Sequence, residues 1–111
     1  MALLPNYHAA QIDSKKLSDY CLSSLHPIGK FKARVFKTVL GLTEVDAEKL
    51  KGIILGELGN SEAILTKTDL YGSRYTVDLK ISNLGGHSVL RTAWIVSESD
   101  NIPRLITCFI K

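Results

Sequence analysis

The hydrophobic period of this sequence changes once, near Asn60, and that change limits the folds open to it. Before Asn60 apolar residues recur at the three- and four-residue spacing of helices. After it they alternate at the two-residue spacing of half-buried strands. "RYTVDLKI" (74–81) alternates most cleanly, with Tyr75, Val77, Leu79 and Ile81 on one face and Arg74, Thr76, Asp78 and Lys80 on the other. "EAILTK" (62–67) reads as a short strand before it. "HSVLRTAWIV" (87–96) follows the turn "NLGG" as a long strand apolar on both faces, hence central, and "RLITCFI" (104–110) closes the sheet. Helices first, strands second and hairpin-length links predict an α+β domain. Its parts are an amino-terminal arm, about three helices and a four-stranded, mainly antiparallel sheet.

The helical half is punctuated clearly. The first twelve residues form an arm, with Pro5 fixing its path and Leu3 and Leu4 able to dock on the core. Asp13 caps a short helix from Ser14 to about Leu22 that buries Leu17, Tyr20 and Cys21. Pro27 disfavours helix at His26 and Gly29 loosens the chain further. A second helix runs from Ile28 or Lys30 to Leu40, where Gly41 ends it. Thr43 and Asp46 have the spacing of a capping box for a third helix, lined by Leu50, Ile53, Ile54 and Leu58 and stopped at Gly59.

Composition removes several classes of function. At 111 residues, 45% hydrophobic and 23% charged, the chain has the make-up of one ordinary globular domain spanning 1–111. No apolar run approaches the ~20 residues that cross a bilayer. The start lacks the basic segment and apolar core of a signal peptide, so a cytoplasmic location is expected. Cys21 and Cys108 are far apart, and with the scattered His8, His26 and His87 they make no ligand set, so neither metal nor cofactor is expected. Gly52, Gly56 and Gly59 lie within or at the end of a helix and form no phosphate loop. The net charge of +3 admits an anionic partner without requiring one.

The distribution of charge says more. On a helical wheel of the segment "GKFKARVFK" (29–37), Lys30, Arg34 and Lys37 fall in one stripe within about 60°. That stripe is either a solvated face or an anion-binding wall. Lys32 falls instead inside the apolar arc. It either snorkels past the helix end or emerges in a cleft between helix and sheet. Arg91 interrupts the apolar row of Val89, Ala93 and Ile95 on the central strand, where an unpaired charge is costly. Two readings follow: an ion pair, for instance with Asp78, or a planar fork presented to phosphate or carboxylate. Thr107 interrupts Leu105 and Phe109, and His26, at the mouth of the basic helix, is the best-placed general base.

The segments "LLPN", "HPIGKFKARVF" (26–36), "YGSRY" (71–75), "RTAWIV" (91–96) and "PRLITC" (103–108) resemble, in this order, an uncharacterised bacterial family common in cyanobacteria. Members carry histidine at the position of Phe31. If that histidine is a general base, this chain needs another, such as His26; if it is structural, Phe31 replaces it on a face already apolar. The order of elements is also similar to the barnase–EndoU–colicin–RelE group of ribonucleases. That similarity implies metal-independent RNA cleavage with Lys32, Arg34 and Arg91 holding phosphate charge, His26 as base and Thr107 donating a hydrogen bond, while Lys30 and Lys37 extend the RNA contact.

The expected function is therefore a small RNA-cleaving or RNA-binding domain of toxin-like kind. The alternative is a non-catalytic interaction module, partner of a small protein or of a second copy in a homodimer, using an exposed sheet edge at "EAILTK" or the arm.

Overall fold

The computed structural model describes residues 2–18, 30–83 and 86–111. Two helices of three turns, α2 (Lys30–Leu40) and α3 (Ala47–Glu57), follow a single turn, α1 (Ser14–Lys16). Four strands come after them: β1 (Ala63–Asp69), β2 (Gly72–Asn83), β3 (Gly86–Val96) and β4 (Pro103–Ile110). They pair antiparallel in the order β1-β2-β3-β4, the α+β arrangement expected, with the two longest strands in the middle.

Local chemistry explains most boundaries. The Asp13 carboxylate accepts the Lys15 N–H at 3.0 Å, capping α1. Leu17 follows it fully buried, whereas Tyr20 and Cys21 lie outside the described residues. Gly41, at φ 67°, ends α2 in the left-handed region that glycine enters at little cost. The Asp46 carboxylate accepts from the Thr43 N–H at 2.9 Å and from the Thr43 hydroxyl at 3.3 Å. The box precedes a 3₁₀ turn (Glu44–Asp46), so α3 proper begins only at Ala47. At its far end a second 3₁₀ turn, Leu58–Asn60, carries the chain past Gly59.

Both long helices pack on one face of the sheet, α2 over β3 and β4 and α3 over β2. Phe36 and Leu40 of α2, Leu50 and Ile54 of α3, and Val77, Leu79, Leu90, Trp94, Leu105 and Cys108 of the sheet form one buried cluster. Opposed residues of an antiparallel pair share a face, so the register names the other, open face. It carries Arg74, Thr76, Asp78 and Lys80 of β2, Val89, Arg91, Ala93 and Ile95 of β3, and Arg104, Thr107 and Phe109 of β4. None of these is fully buried.

Two irregularities shift faces. Between Ala93 and Trp94 the register with β4 slips, so that Thr107 opposes Ala93 while Leu105 opposes Trp94. Ile106 is the extra residue of a bulge. Leu105 therefore turns to the core while Thr107 and Phe109 share the open face, contrary to simple alternation along β4. A second slip lies between Leu65 and Lys67 on β1.

The arm touches both edges of the sheet. Ala63 N–H of β1 donates to Ala2 C=O at 2.8 Å, and Gln11 pairs in parallel with β4 through Pro103 and Leu105. Leu4 and Ile12 of the arm are buried in the core.

One polar chain runs through that core. Trp94, fully buried, donates its indole N–H to the Thr92 hydroxyl at 2.7 Å, and Thr92 in turn donates to Val77 C=O at 2.7 Å. Replacing Thr92 by the isosteric valine orphans the indole N–H, at a cost of ~1–3 kcal/mol. Urea denaturation should read that loss for Thr92→Val. Adding Trp94→Phe should show non-additivity, because the second change removes the orphaned donor; strict additivity would mean that the relay carries no coupling.

Candidate functional site

The centre of the open face is built by register. Asp78 of β2 lies directly opposite Arg91 of β3. The pair is bidentate: Arg91 Nε donates to Asp78 Oδ1 at 2.9 Å and a terminal guanidinium nitrogen to Oδ2 at 3.0 Å. Lys111 Nζ reaches the same Oδ2 at 3.2 Å. Hydrogen bonding from Arg91 holds the Asp78 carboxyl below its ordinary value, against the opposing effect of burial, and Lys111 adds to the lowering. Asp78 in turn raises the Arg91 guanidinium.

Arg91 is thus not a buried charge. Its side chain is 38% exposed, because the described long helices lie on the other side of β3. The strand with apolar residues on both faces is central, as expected, within a two-layer arrangement in which Ala93 and Ile95 remain half-buried. Of the two readings of Arg91, the ion pair with Asp78 is formed. That pair takes two of the five N–H donors a guanidinium carries.

The other singled-out residues divide by face. Thr107 and Phe109 share the open face with Arg91: Phe109 lies opposite it and Thr107 opposite Ala93, one pair step away. Arg34 and Lys37 are exposed on α2, the helix that packs against the other face, so they do not meet Arg91. Because Arg91 points away from α2, it does not face the cleft between helix and sheet that is one of the two readings of Lys32. Lys30 and Lys32 lie in the first turn of α2, but their side chains, like that of Phe31, and the whole of His26 lie outside what is described.

Cations outnumber carboxylates along this face and its rims. Asp69 holds Arg74 at 3.0 Å and Lys67 at 3.8 Å, and Asp100 holds Arg104 at 2.8 Å. With Asp78 between Arg91 and Lys111, three carboxylates thus hold five cationic side chains. Sequence reading named Asp78 as one partner for Arg91 but missed Lys111 and Phe109. Both lie on β4 or just beyond it, where the bulge obscures facing. Among the described residues no three of His, Cys, Asp and Glu come together as metal ligands, and no helix is long and apolar enough to cross a membrane.

A family model, Domain of unknown function (DUF6883), matches residues 3–111. The chain belongs to the DUF6883 family. No curated protein and no solved structure matches it. The match to DUF6883 takes in the arm, both long helices and all four strands, so both the core and the open face belong to the matched region.

The depressed Asp78 carboxyl makes a pH signature. A folded value below the unfolded one near 3.8 gives stabilisation that is complete above that value and lost as pH falls through the depressed one. Asp78→Asn should therefore melt below wild type at pH 7, with the gap in Tm narrowing as pH falls below 4. A gap constant from pH 7 to pH 2 would mean that the ionised pair contributes nothing to stability.

Proposed function

We propose that this domain binds single-stranded RNA on the open face of its sheet and cleaves it by attack of the ribose 2′-hydroxyl on the adjacent phosphate. The observation that supports this reading is the excess of cations there: three carboxylates to five cationic side chains, with Arg91 and Lys111 sharing Asp78 at the centre. Cleavage of this kind requires the phosphodiester to be held in line and the charge of the phosphorane to be met by fixed cations and donors. Arg91 supplies a planar fork held by Asp78, and Lys111 a second charge. Thr107 supplies a hydroxyl on the same face and Phe109 an aromatic side chain against which a base can stack. No base is assigned on this face: His26 lies outside the described residues, and Lys32 is carried on α2, the helix of the opposite face.

The test is incubation of a 5′-labelled single-stranded RNA with wild type and with Arg91→Ala in the presence of EDTA. Wild type should yield fragments ending in a 2′,3′-cyclic phosphate, and Arg91→Ala should slow cleavage by ~10²–10³-fold. Binding should weaken linearly with the logarithm of salt concentration, with a slope shallower by ~0.7 in Arg91→Ala, one phosphate contact fewer. Wild type that neither cuts RNA nor binds it in a salt-dependent way would sink the reading.

A second reading, a non-catalytic interaction module, is supported by a different surface. Ile64 and Leu65 of β1 are 58% and 55% exposed, and Leu70 and Tyr71 in the following turn are 94% and 75% exposed. On that reading Leu70→Asp or Tyr71→Ser abolishes binding to a small partner protein, measured by calorimetry, while Arg91→Ala leaves it intact.

A further inference from the structure

Toward the β2–β3 hairpin the open face runs into a cleft of about 410 Å³, lined by Lys80, Ile81, Ser82, His87, Ser88 and Val89. Register sets its composition: Lys80 opposes Val89, Ile81 opposes Ser88, and Ser82 opposes His87. Lys80, Val89, Ser82 and His87 therefore lie on the same face as Asp78 and Arg91. On that face the lining offers an ammonium, an imidazole and the Ser82 hydroxyl, and no carboxylate, while Ser88, opposite the buried Ile81, belongs to the other face. Each of these polar groups can donate to an anion. Lys80 and His87 are exposed, and Val89 is half-buried as an apolar wall. The carboxylate two residues away on β2, Asp78, is already held by Arg91 and Lys111. Lys111 also joins the two places, since its backbone N–H donates to Val89 C=O at 2.9 Å.

We propose that this cleft is a second phosphate subsite, taking a phosphodiester of the same single-stranded RNA that Arg91 engages; in this it rests on the reading above. His87 and Arg91 stand four residues apart on β3, ~14 Å along the strand. An extended RNA strand covers that span in about two nucleotides. Lys80 supplies the charge, while His87 and the Ser82 hydroxyl orient the phosphate oxygens. Val89 meets the ribose or base. Continuous tracking of one RNA strand from Arg91 to the hairpin makes affinity depend on length, with the gain arising at the cleft.

Two measurements test it. In the first, inorganic phosphate is titrated into the isotopically labelled protein. The His87 and Lys80 resonances should move together and saturably, and Lys80→Ala should abolish the His87 response; a silent His87 overturns the subsite. In the second, a dinucleotide and a tetranucleotide RNA with non-cleavable 2′-deoxy substitution are bound to wild type, Lys80→Ala and His87→Gln. Wild type should bind the longer RNA about tenfold more tightly, the gain of one charge-assisted phosphate contact. Lys80→Ala should lose that gain and His87→Gln part of it, with melting curves confirming that both remain folded. An equal gain in all three proteins overturns the subsite while leaving RNA binding at Arg91 standing. A His87 response to phosphate in a protein that binds no RNA supports the cleft as a phosphate site and removes the RNA reading instead.

Discussion

Burial of Trp94 is the constraint on which the other features depend. An indole is too large to sit at the core of so small a domain unless a helix covers it, and its N–H is too polar to be left without an acceptor. Thr92, two residues earlier on the same face, accepts from the N–H and donates its own hydroxyl hydrogen bond to the carbonyl of Val77 on β2. The relay therefore does two things together. It makes the wettest atoms of the core acceptable, and it ties the two central strands in one register. Once Leu90, Thr92, Trp94 and Val96 face the helices, the period of a strand sends Arg91, Ala93 and Ile95 the other way. Arg91 faces Asp78, and not some other residue of β2, because the register that pairs Thr92 with Val77 also pairs Arg91 with Asp78. The charged centre of the open face is thus a consequence of the apolar centre of the closed one.

Much of this was legible in the residues, and the parts that were not share a cause. Periodicity tells which side chains share a face; it does not tell whether anything covers that face. "HSVLRTAWIV" was correctly central, yet its second apolar row meets no helix among the described residues, which is why Arg91 can sit there half-exposed. The bulge at Ile106 is equally silent in sequence, since one extra residue leaves composition unchanged while reversing the facing of every residue before it. Hence Thr107 was grouped with Leu105, although the structure puts them on opposite sides. The capping box at Thr43 and the turn at Gly41 were readable because each is local, resting on a side chain or backbone preference within a few residues. The arm's edge contacts were not, because they are made by backbone groups that every residue possesses.

Those edge contacts constrain how the domain can meet a partner. An open antiparallel sheet ordinarily offers two rows of unpaired backbone groups, and strand addition is the simplest way to bind one. Here Ala2 occupies the N–H of Ala63 at one edge while Gln11 pairs along Pro103–Leu105 at the other. The bulge between Leu65 and Lys67, with the exposed Lys67 charge, further spoils β1 as a template. Each edge is thus occupied at one point by the arm, at Ala63 and at Arg104. One face is filled by helices, so the open face and the apolar turn around Leu70 and Tyr71 are the surfaces left to compete.

Between those two, local charge is more informative than net charge. A formal excess of +3 spread over a chain of this size would barely distinguish it from its neighbours. On the open face the excess is concentrated and, more to the point, held in place. Asp78 holds Arg91 by two hydrogen bonds, and a cation held in one geometry by a carboxylate gives up little rotamer entropy when an anion arrives. The carboxylate partly cancels the field but organises the donors, the trade that electrostatic preorganisation requires. The basic stripe of α2 lacks this support: Arg34 and Lys37 are exposed, with no ion pair among the described residues. Long side chains of that kind attract an anion without orienting it. The two basic surfaces thus differ in kind: the cations of the stripe in "GKFKARVFK" are free to move, while Arg91 on the sheet is held in one geometry.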